Sequence, residues 1–307
     1  MWEEIRRHWR EGGVLNRLIL LNLAVFVGVA TVRLLGRMEM LPGEEAWWTG
    51  PGVFGLAVSW EVAVLKVRPW AVLTHMFVHT DVWHVALNML LLWWMGRVFA
   101  ASSGNRRLLS TYLLGGLAGF LVYAVMSNLF PGLRSGSTFA YGASAAVMAV
   151  FAAAATREPD RPVAIIFLGQ VPLKWVALAY VALDYFGLSS GGAQTGGHLA
   201  HLGGAVYGFL LVRAWNRGYD PARWFEVLLD RLAVWAPRSG AGGTRMKMVQ
   251  RRRKAEPVRR PVSDEDFNAS KKEKAERLDR ILDKISKQGY DSLSAEEKRF
   301  LFEQSHR

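Results

Sequence analysis

The sequence has no cysteine, and for long stretches it has almost no charge. Without a thiol there is no disulfide framework, no Cys-ligated zinc or iron–sulfur centre and no thiol nucleophile. Acidic residues are scarce, 26 against 38 Lys and Arg in 307 residues, which leaves a formal net charge of +12. That excess sits in the C-terminal third and in short gaps between apolar runs. This is the pattern of the positive-inside rule, so no nucleic-acid partner is expected. The chain opens on charged residues, with no short apolar stretch followed by a small-residue cleavage site. No cleavable signal peptide is expected, and the first apolar run serves as its own insertion signal.

What is present is hydrophobic: 51% of the residues, with thirteen Trp. A helix needs about 20 residues to cross a bilayer, and six nearly uncharged runs approach that length: Asn16 to Leu35, Val82 to Ala101, Leu108 to Phe130, Thr138 to Thr156, Pro172 to Leu188 and His198 to Trp215. Arg6, Arg7 and Arg10, then Arg97, Arg106 and Arg107, then Arg157, Arg161 and Lys174 occupy alternate gaps, which makes those gaps cytoplasmic together with both termini. The segment from Gly36 to Asp81 becomes an external loop, whose Trp47, Trp48, Trp60 and Trp70 suit the membrane interface.

Beyond Trp215 the composition turns to Gly, Pro, Arg and Lys. The expected organisation is a cytoplasmic segment (1–13), a six-span membrane domain (14–216), a basic flexible linker (217–263) and a cytoplasmic two-helix hairpin (264–307). In the hairpin, Leu278, Ile281, Leu282 and Ile285 recur at helical spacing, Gly289 offers a C-cap, and Ser294 with Glu297 matches a capping box. The hairpin reads as a docking or self-association module, and truncation after about Asn216 is expected to spare catalysis.

Polar residues inside spans are costly and mark function. His79, His84 and Asn88 stand at the entry of the second span, Ser144 lies early in the fourth, and His198 and His201 open the sixth. All three spans are entered from outside, so these groups share one depth. A Ser hydroxyl needs a base, and His has a suitable pKa near neutrality, so Ser144 and His201 are a candidate pair. Gly142, and Gly204 with Gly208 as a G-x-x-x-G, permit the close helix approach that such a contact requires. His84 and Asn88, four residues apart on one face, could stabilise an oxyanion together with the Ser144 N–H. His75, His79 and His84 could also suggest a metal, but no H-E-x-x-H accompanies them, and neither metal nor cofactor is expected. His198 reads as a structural histidine rather than a second base. Asp184 reads as the partner of a neighbouring polar group rather than a triad acid.

Trp70 with Thr74, the H-x-x-x-x-H-x-x-x-N set of His79, His84 and Asn88, the Gly142-Ala143-Ser144 turn, and the run of Gly196, Ala200, His201, Gly204 and Gly208 occur in order on spans two, four and six or just before them. Together they resemble the rhomboid intramembrane serine proteases. The resemblance implies an all-α six-helix bundle with a Ser144–His201 dyad and no acid, an oxyanion site of His84, Asn88 and the Ser144 N–H, and His79 as a supporting residue. It also implies that the partners are the lipid bilayer and the transmembrane helices of substrate proteins, cleaved near the membrane surface. A bacterial inner membrane is the expected location. The sequence departs from the family in having Ala145 where G-x-S-G has its last glycine, and Met148 where an aromatic often lies beneath the histidine. A pseudoprotease that binds such helices without cutting them is the leading alternative, and a polytopic transporter or metal carrier is a further one.

Overall fold

The computed structural model of the chain describes residues 13–38, 55–134, 138–165, 169–190, 194–235 and 264–305. The architecture is all-α. It falls into two units, residues 1–238 and 239–307.

In the first unit, α1 (Gly13–Arg37) precedes a loop that carries the short helices α2 (Val62–Val67) and α3 (Ala71–Thr74). Then follow α4 (Val82–Ser103), α5 (Asn105–Leu129), α6 (Ser144–Arg157), α7 (Leu173–Ser190) and α8 (Thr195–Asn216). Among the described residues, α1, α4 and α5 are long and apolar enough to cross a membrane. The other three expected spans are helical as well, and α8 owes its lower hydropathy to its own glycines and histidines.

The polarity of the bundle is that of a protein solvated by lipid. Every residue from Ala145 to Ala155 is buried, so α6 is enclosed by its neighbours. Large apolar side chains point outward instead, among them Leu21, Val27, Leu90, Leu121, Leu178, Leu183, Phe186, Phe209 and Leu210. Exposed apolar surface on that scale is stable only in a nonpolar solvent, where small residues let helices pack closely and bulky ones face lipid.

The fourth expected span is shorter than its apolar run. Residues Phe139–Ala140 form a strand (β2) antiparallel to β1 (Val58–Ser59), and the helix begins only at Ser144. Gly142 has φ +123°, a left-handed conformation that breaks the helix before it can extend upstream. The fourteen residues of α6 rise about 21 Å, less than the ~30 Å hydrocarbon core. Ser144 is therefore the first residue of a helix shorter than the hydrocarbon core. A hairpin of β3 (Pro162–Ile165) and β4 (Gly169–Pro172) joins α6 to α7.

The segment expected as linker contains α9 (Arg223–Trp235), which belongs to the first unit. Its Glu226 is buried and accepts the Ser110 hydroxyl of α5 at 3.0 Å, and Asp230 pairs with Arg106 at 2.7 Å. Just before it, Asp220 accepts the Trp215 indole N–H at 2.8 Å and approaches Arg107 at 3.8 Å. The reading of 217–263 as a basic flexible linker overlooked these contacts, because no short-range pattern announces a partner on α5. The rest of that linker, residues 236–263, and Trp47 and Trp48 lie outside the described residues.

The second unit contains α10 (Asp264–Gln288) and α11 (Ala295–Ser305). The Ser294 N–H donates to Glu297 Oε2 at 2.7 Å and the Glu297 N–H to Ser294 Oγ at 3.3 Å, the reciprocal pair of a capping box. Lys284 reaches Glu297 at 3.0 Å across the hairpin, and Ile281 and Leu293 are buried between the helices.

Candidate active site

The first loop builds the turn that presents Ser144. Trp70 donates its indole N–H to the Gly55 carbonyl at 3.1 Å, and the Thr74 hydroxyl donates to the Leu56 carbonyl at 2.9 Å, which hold the loop in register with β1. From that loop, the His75 carbonyl accepts the Gly142 N–H at 2.9 Å and His79 Nε2 accepts the Ala143 N–H at 3.3 Å. The two donors just before Ser144 are thus engaged. The Ser144 N–H belongs to the first residue of α6 and has no carbonyl of its own helix to bond. Burial pushes His79 down to about 4, so it is neutral at pH 7 and able to accept.

Sequence reasoning weighed His75, His79 and His84 as metal ligands, whereas the structure uses the His79 ring to fix a backbone turn and turns the His75 ring to the Ala71 carbonyl, 3.0 Å from Nδ1. The His84 ring lies edge-on to His79, 5.1 Å between centroids. It also covers Gly142 so closely that a Cβ there would come within 2.8 Å of His84 Cε1. Gly142 therefore serves both the turn and the ring above it.

A cavity of about 790 Å³ opens where α4, α6 and α8 begin. Its lining brings together Ser144, His201, His84, Asn88 and Met148, with Tyr123 of α5 and Tyr180 of α7. Asn88 donates one amide N–H to the His84 carbonyl at 2.9 Å, which leaves its second N–H to face elsewhere. Met148, which stands where the family often has an aromatic, is a buried part of this lining.

The glycines of α8 let it pack closely on α6, the helix that Ser144 begins. A Cβ on Gly204 would strike the Ala145 carbonyl oxygen, and one on Gly208 the Ala149 carbonyl oxygen, so α8 lies directly against the backbone of α6. The Ala145 and Ala149 methyl groups point to α5 instead, where a Cβ on Gly119 would fall 2.6 Å from Ala145 Cβ and one on Gly115 would strike Ala149 Cβ. Ala145 in place of glycine is accommodated because Gly119 of α5 leaves the space for its methyl group.

One contact was not anticipated. His201 Nδ1 lies 3.0 Å from Asp184 Oδ1, and His198 Nδ1 lies 2.8 Å from the same oxygen. Asp184 was read as paired with a neighbouring polar group, and the neighbours are these two histidines. Its i, i+3 partners on α8 were visible, but the register of α7 against α8 was not. Among the described residues these three also form the group with spacing suited to a metal ion, their ligand atoms lying within 4.8 Å of one another.

A family model described as a Rhomboid domain matches residues 66–216, and a second, described only as a family of unknown function (DUF6576), matches residues 263–307. "Presenilin-associated rhomboid-like protein A, mitochondrial" of Danio rerio is 30% identical over 188 residues, covering 58% of this chain and 47% of that protein. "Presenilin-associated rhomboid-like protein, mitochondrial" of Homo sapiens is 32% identical over 152 residues, 48% of this chain and 38% of its own. "Inactive RHOMBOID-like protein 8" of Arabidopsis thaliana is 26% identical over 129 residues, 41% of this chain and 36% of its own. The matched regions span less than half the length of each of these relatives.

Proposed function

The chain belongs to the rhomboid family, and from that premise we propose that it is a multi-pass intramembrane serine endopeptidase acting through Ser144 and His201. The observation that carries this reading is the single cavity lined by Ser144, His201, His84 and Asn88, with the Ser144 N–H free of its own helix. In the proposed reaction Ser144 Oγ attacks the carbonyl carbon of a scissile peptide while its proton passes to His201 Nε2. The tetrahedral oxyanion is held by the Ser144 N–H, Asn88 and His84. His201 returns the proton to the leaving amine, and water hydrolyses the acyl-enzyme by the same steps in reverse. The chemistry draws on no cofactor.

The substrate class follows from the surroundings. The apolar exterior presents the cavity to lipid-embedded segments, and a helical substrate must unwind locally before its carbonyls are free for attack. Transmembrane helices with helix-destabilising residues near one membrane face are therefore the proposed partners. The distribution of Lys and Arg supports a six-span bundle with both termini in the cytoplasm, and a bacterial inner membrane is the proposed location. A reporter active only in the periplasm, fused after Arg217, should stay silent.

The relative named inactive favours a second reading, a client-binding pseudoprotease. One experiment separates the two. Purified protein in detergent is incubated with a model transmembrane substrate and, separately, with a fluorophosphonate probe. Cleavage and labelling that vanish in Ser144→Ala support the protease, while substrate binding without either would establish the pseudoprotease.

A further inference from the structure

Asp184 is an acid that a Ser–His dyad does not require, and it touches the proposed base. Its side chain is only 7% exposed, although it lies in an apolar helix of the bundle. A carboxylate in such a place is expensive unless hydrogen-bonded, and here one oxygen, Oδ1, accepts from both His198 and His201. An ionised carboxylate can only accept, so both imidazoles must carry their proton on Nδ1. For His201 that leaves Nε2 unprotonated, and Nε2 is the atom that a general base presents to a serine.

Resting on the reading of Ser144 and His201 above, we propose that Asp184 is a positioning residue for the reaction: it holds His201 in the Nδ1–H tautomer and stabilises the imidazolium formed when Ser144 is deprotonated. The proton moves from Ser144 Oγ to His201 Nε2 and later to the leaving amine. Asp184 takes none, and keeps its charge throughout. His198 is the brace of this arrangement. It occupies the other side of Oδ1 and restrains the carboxylate from turning away from His201. Its own place is made by Gly187, where a Cβ would fall 2.5 Å from His198 Nε2.

Asp184 is the carboxylate in direct contact with His201, so its removal should change the tautomer and orientation of that imidazole most.

The test uses the full chain in detergent with a model transmembrane substrate, comparing wild type with Asp184→Asn and Asp184→Glu by kcat and by the tautomer of His201 in ¹⁵N-histidine spectra. Asp184→Asn is expected to lower kcat by at least about 10-fold and at most the ~10⁴-fold typical of soluble Ser-His-Asp triads. Its His201 should lose the preference for the Nδ1–H tautomer, and Asp184→Glu should restore that tautomer and part of the rate. A folded Asp184→Asn with wild-type kcat and an unchanged His201 tautomer would reduce Asp184 to a helix brace and overturn the proposal.

Should Asp184→Asn not fold, ¹⁵N-histidine spectra of wild type decide: His201 protonated at Nδ1 supports the assignment, and at Nε2 refutes it. Activity indifferent to EDTA also supports it, whereas loss restored by added zinc would make the three residues metal ligands and overturn it. Absence of any cleavage or labelling by wild type would instead sink the protease reading, and the tautomer measurement would still judge Asp184.

Discussion

At the scale of single residues, Ser144 and His201 were legible as candidates because they come with short-range company, Gly142 two residues before the serine and Gly204 three after the histidine. The role of His79 was not legible, since a histidine whose ring accepts one backbone N–H leaves no periodic trace. Its task suggests a pH effect. The fold holds His79 neutral, lowered to about 4 by burial, whereas in the unfolded chain it titrates near 6.5. The unfolded state therefore binds more protons between those values. The contribution of His79 is fully present above about pH 6.5 and is lost as the pH falls through about 4. The thermal midpoint of wild type should drop across that window more than that of His79→Gln, whose amide oxygen accepts without titrating. Parallel curves would show that the bond to Ala143 is incidental. Asn88 belongs to the same scale. As one of several oxyanion donors, its loss in Asn88→Ala should slow turnover by about 10²- to 10³-fold while the fluorophosphonate still labels Ser144. Wild-type turnover would leave it a structural residue.

At the scale of elements, six helical runs could be read from hydropathy alone, but the start of the fourth could not. Hydropathy sees Thr138 to Gly142 as part of one apolar stretch. The chain is instead turned there by a positive φ and by two hydrogen bonds from a loop more than sixty residues earlier in sequence. That turn, rather than the span, sets the depth of Ser144. The packing of α8 on α6 was legible as a G-x-x-x-G, and its consequence differs sharply between glycines. At Gly204 the obstacle to a Cβ is the carbonyl of Ala145, backbone that cannot rotate away. Gly28 on α1 has nothing within 4 Å of the same position. Gly204→Ala should cost about 1–3 kcal/mol as the helices are forced apart, and cleavage should fall with it. Gly28→Ala should be neutral or gain up to ~1 kcal/mol of helix propensity. Thermal denaturation of the two variants in one detergent checks this, and equal midpoints would mean that α6 and α8 are not packed as described.

At the scale of the whole molecule, the boundary between the membrane domain and the tail lies further along the chain than composition implied. The change from apolar to basic letters after Trp215 marks where the bundle leaves the hydrocarbon, not where the folded unit stops. Asp220, Glu226 and Asp230 tie the following segment to Arg107, Ser110 and Arg106 of α5. Only one of these contacts, Ser110 with Glu226, is buried. The exposed pairs are worth little each, but cutting the chain after Asn216 would leave the buried Ser110 hydroxyl with only the Arg107 carbonyl of its own helix, at 3.2 Å, and uncover the surface that α9 shields. Two truncations that a reading from composition treats as equivalent should therefore differ. Ending the chain after Arg238 keeps α9 and every proposed catalytic group, so cleavage of a model substrate and the thermal midpoint in detergent should match the full chain. Ending it after Asn216 should lower the midpoint by several degrees, with kcat falling only as far as the folded fraction does, because α5 packs against α6 and α8 at depth while α9 contacts its other end. If the two truncations melt alike, α9 contributes nothing to the bundle. If the longer one folds and is labelled at Ser144 yet no longer cleaves, residues 239–307 act on catalysis and the hairpin is a regulator of the site.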